Sequence, residues 1–405
     1  MMTPRRWPVL PLLLVSCAAL AQAQPATRTL AKPDAEFAEP FSQLNAVREL
    51  RDGRLLVTDS RDKLVQLINL TSGKATKVGR EGSGPGEYGL PAQLFALPAD
   101  SSVVFDPLNQ RFLLLLPDGK PGATFRVGDD APRPSADANG GRVVRLGGLG
   151  LGMPRGSDGR GNLYFEGPAI SFGPDGPVVA DSAPVVRYSR ATKRADTLAW
   201  VQLPKSDAAV SSTGSGGQQN VNVRIGGISP YPSRDQWTVL PSGTVAIARV
   251  RDYHVELVSA TRQVTRGPAV TFAPVRVGDA EKEEYRKAAK NPQGVAISRT
   301  TENRNGVENT RTSTAMPAFE EPKSWPATKP PFTSVVAGAN GEVWVARSRP
   351  ARDEVPTYDV FDGTGRLTGR VALPKRTRVV AVGATYVYTA RTDDDDLQYL
   401  QRFRR

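Results

Sequence analysis

The chain predicts an all-β fold: a six-bladed β-propeller of four-stranded antiparallel blades. Three observations carry that expectation. A tight turn leading into an apolar strand recurs six times along the 405 residues. Strand-like segments flank each copy, giving about four strands per unit. The 38 Gly and 34 Pro punctuate the chain too densely for a bundle of long helices. One four-stranded sheet cannot bury both faces alone, so radial stacking of the units is the natural solution. A β-sandwich or two small β domains would be the competing architecture, and six matched units favour the ring.

The turn-strand copies run in order. Asp52-Gly53 precedes Leu55-Leu56-Val57, Asp100-Ser101 precedes Val103-Val104-Phe105, and Asp158-Gly159 precedes Leu163-Tyr164-Phe165. Ser242-Gly243 precedes Val245-Ala246-Ile247, Asn340-Gly341 precedes Val343-Trp344-Val345, and Gly383-Ala384 precedes Tyr386-Val387-Tyr388. Gly, Asp and Asn tolerate the positive φ of tight hairpins, and β-branched or aromatic residues suit a packed pleated surface. A strand precedes five of the turns: Leu44–Leu50, Leu94–Leu97, Trp237–Leu240, Phe332–Ala337 and Arg378–Val382. A third strand follows: Val65–Asn69, Phe112–Leu116, Val185–Tyr188, His254–Val258, Tyr358–Phe361 and Leu397–Phe403. The sixth unit runs out of chain after its third strand, and Arg28–Lys32 is the expected donor of the missing outer strand.

A minimal blade needs about 40 to 50 residues, so the longer gaps hold insertions. Two polar ones are expected, about 205–227 and 278–329. The first is rich in Ser, Gly, Gln and Asn and reads as a mobile loop. In the second, a short helix begins at Asp279, with acids early and bases late to match the helix dipole. The remainder, Asn291–Ala315, is polar and reads as flexible.

The N-terminus carries export-signal anatomy. Arg5 and Arg6 precede the apolar stretch Trp7–Leu20, which is too short to span a bilayer, and Ala21-Gln22-Ala23 is a small-x-small cleavage pattern. The expected organisation is a signal peptide over 1–23 and a propeller over 24–405, exported to the periplasm or secreted. Leu14-Val15-Ser16-Cys17 also resembles a lipobox, which would instead make an outer-membrane lipoprotein through Cys17. Cleavage after Ala23 would remove the only Cys, leaving a chain without disulfides that must be stabilised by its core.

Gly79-Arg80-Glu81-Gly82-Ser83-Gly84-Pro85-Gly86-Glu87-Tyr88 and Asp106-Pro107-Leu108-Asn109-Gln110-Arg111-Phe112 are the most distinctive segments. With them the chain resembles bacterial six-bladed β-propeller proteins related to NHL-repeat proteins, over nearly all of its mature length. The resemblance implies that the Gly-rich segment links the outer strand of one blade to the inner strand of the next. It is specific for fold and poor for function. No Trp-Asp dipeptide is present, which disfavours a WD40 propeller.

The functional motifs each have a plainer reading. Gly82–Gly86 lacks the Gly-Lys-Ser/Thr of a phosphate loop and opens no helix, so it reads as a turn. Asp59, Asp62 and Asp106 could ligate calcium, but Asp beside a turn more often accepts from nearby backbone N–H groups. Asp393–Asp396 reads as a solvated loop, with calcium or a basic partner as the alternative. His254 is the only histidine, and Asp252 and Glu256 flank it; packing is the simpler role. The formal charge of +12 is spread along the chain without a block of interleaved aromatics, so nucleic acid is not an expected partner. Weak attraction to anionic envelope polymers is reasonable.

The expected inner strands offer Gln43, Asn45, Gln93, Arg155, Arg234, Asp235, Gln236, Thr333, Ser334, Arg376 and Arg378. Among these only Asp235 is acidic, a poor donor set for a divalent cation. No cofactor and no metal are expected, and no nucleophile elbow is present. The leading expectation is an exported, non-catalytic, monomeric propeller that binds a protein, a peptide or an anionic ligand. Asn45, Gln93, Arg155, Arg234 and Arg378 are the candidate ligand-binding residues at the channel mouth. A lactonase- or lyase-like hydrolase with a channel metal site is the alternative, and an adhesive module is a third.

Overall fold

A computed structural model describes residues 25–127, 152–168, 170–173, 176–204, 209–213, 220–224, 230–290, 296–304, 307–315, 319 and 321–405. The expected signal segment 1–23 and Cys17 lie outside them. Among the described residues, no helix is long and apolar enough to cross a membrane.

The strands form six blades. Blade one is Leu44–Glu49, Leu55–Asp59, Leu64–Asn69 and Lys74–Lys77; blade two is Gln93–Ala96, Ser102–Asp106, Arg111–Leu115 and Pro121–Phe125. Blade three is Met153–Ser157, Leu163–Glu166, Ser182–Ser189 and Arg194–Gln202; blade four is Gln236–Val239, Val245–Arg249, His254–Val258 and Val264–Arg266. Blade five is Phe332–Ala337, Val343–Arg347, Thr357–Phe361 and Leu367–Ala372. Blade six is Thr377–Val382, Tyr386–Thr392 and Gln398–Arg404, completed by Ala35–Glu36. Each inner strand lies against the inner strands of the two neighbouring blades, and that of blade six lies against that of blade one, so the ring is closed.

Period-two alternation explains the burial. Leu55 and Val57 enter the apolar cluster between blades six and one, whereas Leu56 enters the cluster between blades one and two. Such clusters fill every one of the six junctions. A second strand such as Leu55–Asp59 is therefore buried on both faces and reads as a continuous apolar run. The turn before it needs a left-handed residue, and Gly53 supplies it at φ +81°.

Ring closure differs from the expectation. Ala35–Glu36, not Arg28–Lys32, supplies the outer strand of blade six, pairing antiparallel with Gln401 and Arg402. Thr27–Thr29 instead adds a fifth, parallel strand to blade five, pairing with Arg370–Ala372. The edge of Leu367–Ala372 was open, and an extended segment beside it satisfies its backbone groups.

The helix of the second insertion spans Asp279–Lys290. The segment expected to be a flexible polar loop is partly a ladder, with Ala296–Arg304 antiparallel to Val307–Ala315. Its Thr-rich run favours extended backbone despite the polarity. In the first insertion Ala209–Thr213 pairs with Asn220–Arg224.

The Gly-rich segment does connect the outer strand of blade one to the inner strand of blade two. Glu87 accepts from Gly84 N at 2.7 Å, and Tyr88 Oη bridges Val65 N and the Val78 carbonyl at 3.1 and 3.0 Å. The second distinctive segment grips the first. Arg111 donates to the carbonyls of Ser83, Gly84 and Glu87 at 2.8, 3.0 and 2.9 Å, and Asn109 donates to that of Gly82 at 3.0 Å.

Candidate functional site

The antiparallel register brings the start of each inner strand beside the end of the second strand of its blade. Leu44 pairs with Asp59, Met153 with Glu166, Phe332 with Arg347 and Thr377 with Arg391. One rim of the ring therefore gathers the charged second-strand ends and the candidate residues. Asn45, Gln93, Arg155 and Arg378 stand on inner strands near that rim, and Arg234 just precedes the inner strand of blade four.

Two of the five candidates meet. Arg155 and Arg234, from neighbouring blades, both donate to Glu166 Oε2, at 3.0 and 2.7 Å. Trp237 Nε1 donates to the same oxygen at 2.9 Å. Burial would raise the Glu166 pKa, but the Arg234 hydrogen bond and the charges of Arg155 and Arg234 outweigh it and hold the carboxyl below its usual range. Two guanidiniums thus share one carboxylate, which leaves a surplus positive charge where the Arg155 side chain is 36% exposed.

The other three stand apart. Arg378 closes the junction of blades six and one, donating to the Leu44 carbonyl and, at 3.1 Å, to Gln398 Oε1. Burial lowers its pKa from the usual guanidinium value. Asn45 Oδ1 accepts from Ser60 N at 2.6 Å, which makes it a turn-stabilising group. Gln93 Oε1 is buried and has no hydrogen-bond partner. An unpaired buried amide oxygen carries a desolvation cost that a donor from a ligand or a water would relieve.

The rim carboxylates are committed to the protein itself. Asp59 accepts from the backbone N–H of Gln43, Arg61 and Asp62 at 2.9 to 3.0 Å. Asp106 accepts from Gly89 N and Leu90 N at 2.8 and 3.0 Å. Asp235 accepts from Gln202 N and Val250 N, both at 2.9 Å, and pairs with Arg249 at 2.8 Å. Among the described residues no three His, Cys, Asp or Glu side chains converge as a metal site needs. Carboxylates so engaged, beside Arg155, Arg234 and Arg249, do not suit a divalent cation at the channel.

His254 is buried on the third strand of blade four, with Nδ1 2.9 Å from Asp252 and Nε2 3.1 Å from Glu256. It borders a cavity of about 560 Å³ that Trp200 and Arg249 also line. Asp393 holds its own loop by accepting from Asp395 N and Leu397 N at 3.0 and 2.9 Å.

Sequence reasoning missed Glu166 and Trp237. A signal was present. The second strands end in Asp59, Asp106, Glu166, Arg249 and Arg347 in blades one to five, and Arg391 is the next-to-last residue of that strand in blade six. Aligning the blades by that position would have marked Glu166 as a rim carboxylate.

No protein-family model matches the chain, and no curated protein matches it. Solved structures do. An exported-protein candidate from Bacteroides fragilis is 12% identical, with 94% of each chain covered and a TM-score of 0.44. Virginiamycin B lyase from Staphylococcus aureus is 9% identical over 91% of this chain and 98% of its own, with a TM-score of 0.38. A gluconolactonase from Xanthomonas campestris is 11% identical over 94% and 97%, with a TM-score of 0.37. Likeness at this level concerns the fold and carries no argument about activity.

Proposed function

We propose that this chain is an exported, non-catalytic binding propeller that holds the anionic group of a peptide, protein or envelope polymer at its channel mouth. The observation that supports this reading is the shared carboxylate: Arg155 and Arg234 converge on Glu166 from two blades, at 3.0 and 2.7 Å. Glu166, itself held by Trp237, fixes both guanidiniums before any ligand arrives, so less rotamer entropy is lost on binding. On the inner strand of the adjoining blade, Gln93 offers a buried, unpaired carbonyl oxygen that a ligand N–H could meet. A carboxylate or phosphate takes the planar donors of arginine in paired fashion.

A hexaglutamate peptide is the probe. Calorimetry at low salt should show binding to the mature chain, and Arg155→Gln should weaken it by about tenfold, as loss of one charge-assisted contact predicts. Arg155 is the better site for substitution, because Arg234 still neutralises Glu166 in that variant. Equal affinity in the variant, or no binding by the unaltered protein, would remove the reading.

A further inference from the structure

A second basic cavity lies away from the Arg155–Arg234 pair. It has a volume of about 500 Å³ and sits between blade five and the base of the second insertion. Four arginines line it: Arg276, Arg347, Arg349 and Arg370. We propose that this cavity binds a small organic oxyanion, a phosphate ester or a carboxylate, independently of the channel mouth.

The ionic partners of these arginines carry the argument. Arg347 and Arg370 both turn to one fully buried carboxylate, Asp359, at 3.0 and 2.8 Å. Glu281 lines the cavity, but its two oxygens already accept from Gly278 N and Ala351 N, each at 3.0 Å. Asp353 accepts from Val355 N at 3.0 Å. Glu284 lies 4.0 Å from Arg349, and Lys329 neutralises it at 2.5 Å. Arg276 is exposed and has no ionic partner among the described residues. Arg276 therefore brings to the cavity a guanidinium that no described carboxylate pairs with.

A second, independent observation points to a ligand. Ser348 also lines the cavity, and its hydroxyl oxygen is buried without a hydrogen-bond partner. Phosphate and carboxylate oxygens suit that combination of a hydroxyl donor and guanidinium forks. Inorganic phosphate alone would fill little of the space, which lies in the size range of small-molecule sites. An organic body would rest on Pro274 and Pro350, which form apolar wall. The walls are tied together before binding: Glu281 joins the insertion helix to Ala351 in the loop after the second strand of blade five.

Calorimetry at low salt with glucose 1-phosphate, citrate and inorganic phosphate tests the proposal. The ester or citrate should bind with a Kd below about 1 mM, and whichever binds more tightly names the preferred group. Arg276→Gln should weaken that binding by about tenfold and Ser348→Ala by a smaller factor. Arg155→Gln should leave it unchanged, which separates this cavity from the channel mouth. Arg276 is exposed and unpaired, so its variant should melt with the unaltered protein. No binding of any probe, unchanged affinity in Arg276→Gln, or loss in Arg155→Gln would overturn the proposal. Inorganic phosphate binding as tightly as the ester would overturn the organic part of it.

Discussion

Blades one to three and blades four to six solve the same local problem with opposite charges. The second strands of the first three end in Asp59, Asp106 and Glu166; those of the last three end in Arg249, Arg347 and, one residue before the end, Arg391. In blades one and two the acid turns inward and accepts backbone N–H groups of the adjoining chain. In blades four to six the arginine reaches sideways to an acid on another strand: Glu256 and Asp235, Asp359, and Glu36. Blade three stands between the two habits, since Glu166 takes arginine and tryptophan side chains rather than amides. The difference shows that the rim position requires a charge, and that the partner available locally decides its sign. Where backbone amides are the partners, the acid keeps its charge and its oxygens are engaged by neutral donors. Around Glu166 and Asp359, two arginines converge on one acid.

The comparison breaks most readily at its two most buried acids. Asp359→Ala would remove the shared partner of Arg347, Arg370 and the Tyr253 hydroxyl, which donates to Asp359 at 2.7 Å. We expect a loss of about 3 to 5 kcal/mol in chemical denaturation. Asp106→Ala, which strands chiefly backbone amides, with Arg111 only at 4.0 Å, should cost about 2 kcal/mol. Equal losses would mean that the two half-rings do not differ in kind.

A smaller effect is one of pH. The Glu166 carboxyl lies below its usual range, so its contribution is complete above the unfolded value of about 4.3 and is lost as pH falls through the lower folded value. Burial is the largest influence on Asp59 and raises its pKa, although backbone hydrogen bonds oppose it. Folding therefore favours protonated Asp59, and this group adds stability as pH falls through the folded value towards about 3.9. Melting temperatures between pH 3 and 7 should fall less steeply on the acid side in Glu166→Gln and more steeply in Asp59→Asn. The same sign in both variants would contradict the assignment.

The least effect belongs to the most open pair. Arg391 and Glu36 are about one-third exposed at 3.2 Å, so Arg391→Ala should cost less than about 1 kcal/mol, with part of that already screened by 0.5 M salt. A larger loss would show that this bridge fastens Ala35–Glu36 to blade six and so helps to close the ring.

Much of the fold was legible because its signals are local. Leu55-Leu56-Val57 behind Asp52-Gly53 announces a turn and a strand within a few residues, and six such units require a ring. Ring closure was not legible. Thr27–Thr29 and Ala35–Glu36 are both short and polar, and nothing in either names the edge it will join. The two distinctive segments were visible separately. That Arg111 grips the turn at Ser83–Glu87 is a contact across 24 to 28 residues, which residue spacing does not encode. At the candidate site Arg155 and Arg234 could be named from their place on, or just before, inner strands. Their common partner could not, because Glu166 lies 68 residues from Arg234 and on another blade.

Alternation, turn residues and repeat number, all carried by neighbours in the chain, were enough to determine six antiparallel sheets and their order. The docking of N-terminal segments on two different edges, the pairing of rim charges across blades and the gathering of four arginines in the cavity beside blade five were decided by tertiary structure. Each depends on which groups meet once the ring has closed, and burial and charge act there on spatial neighbours rather than on sequence neighbours.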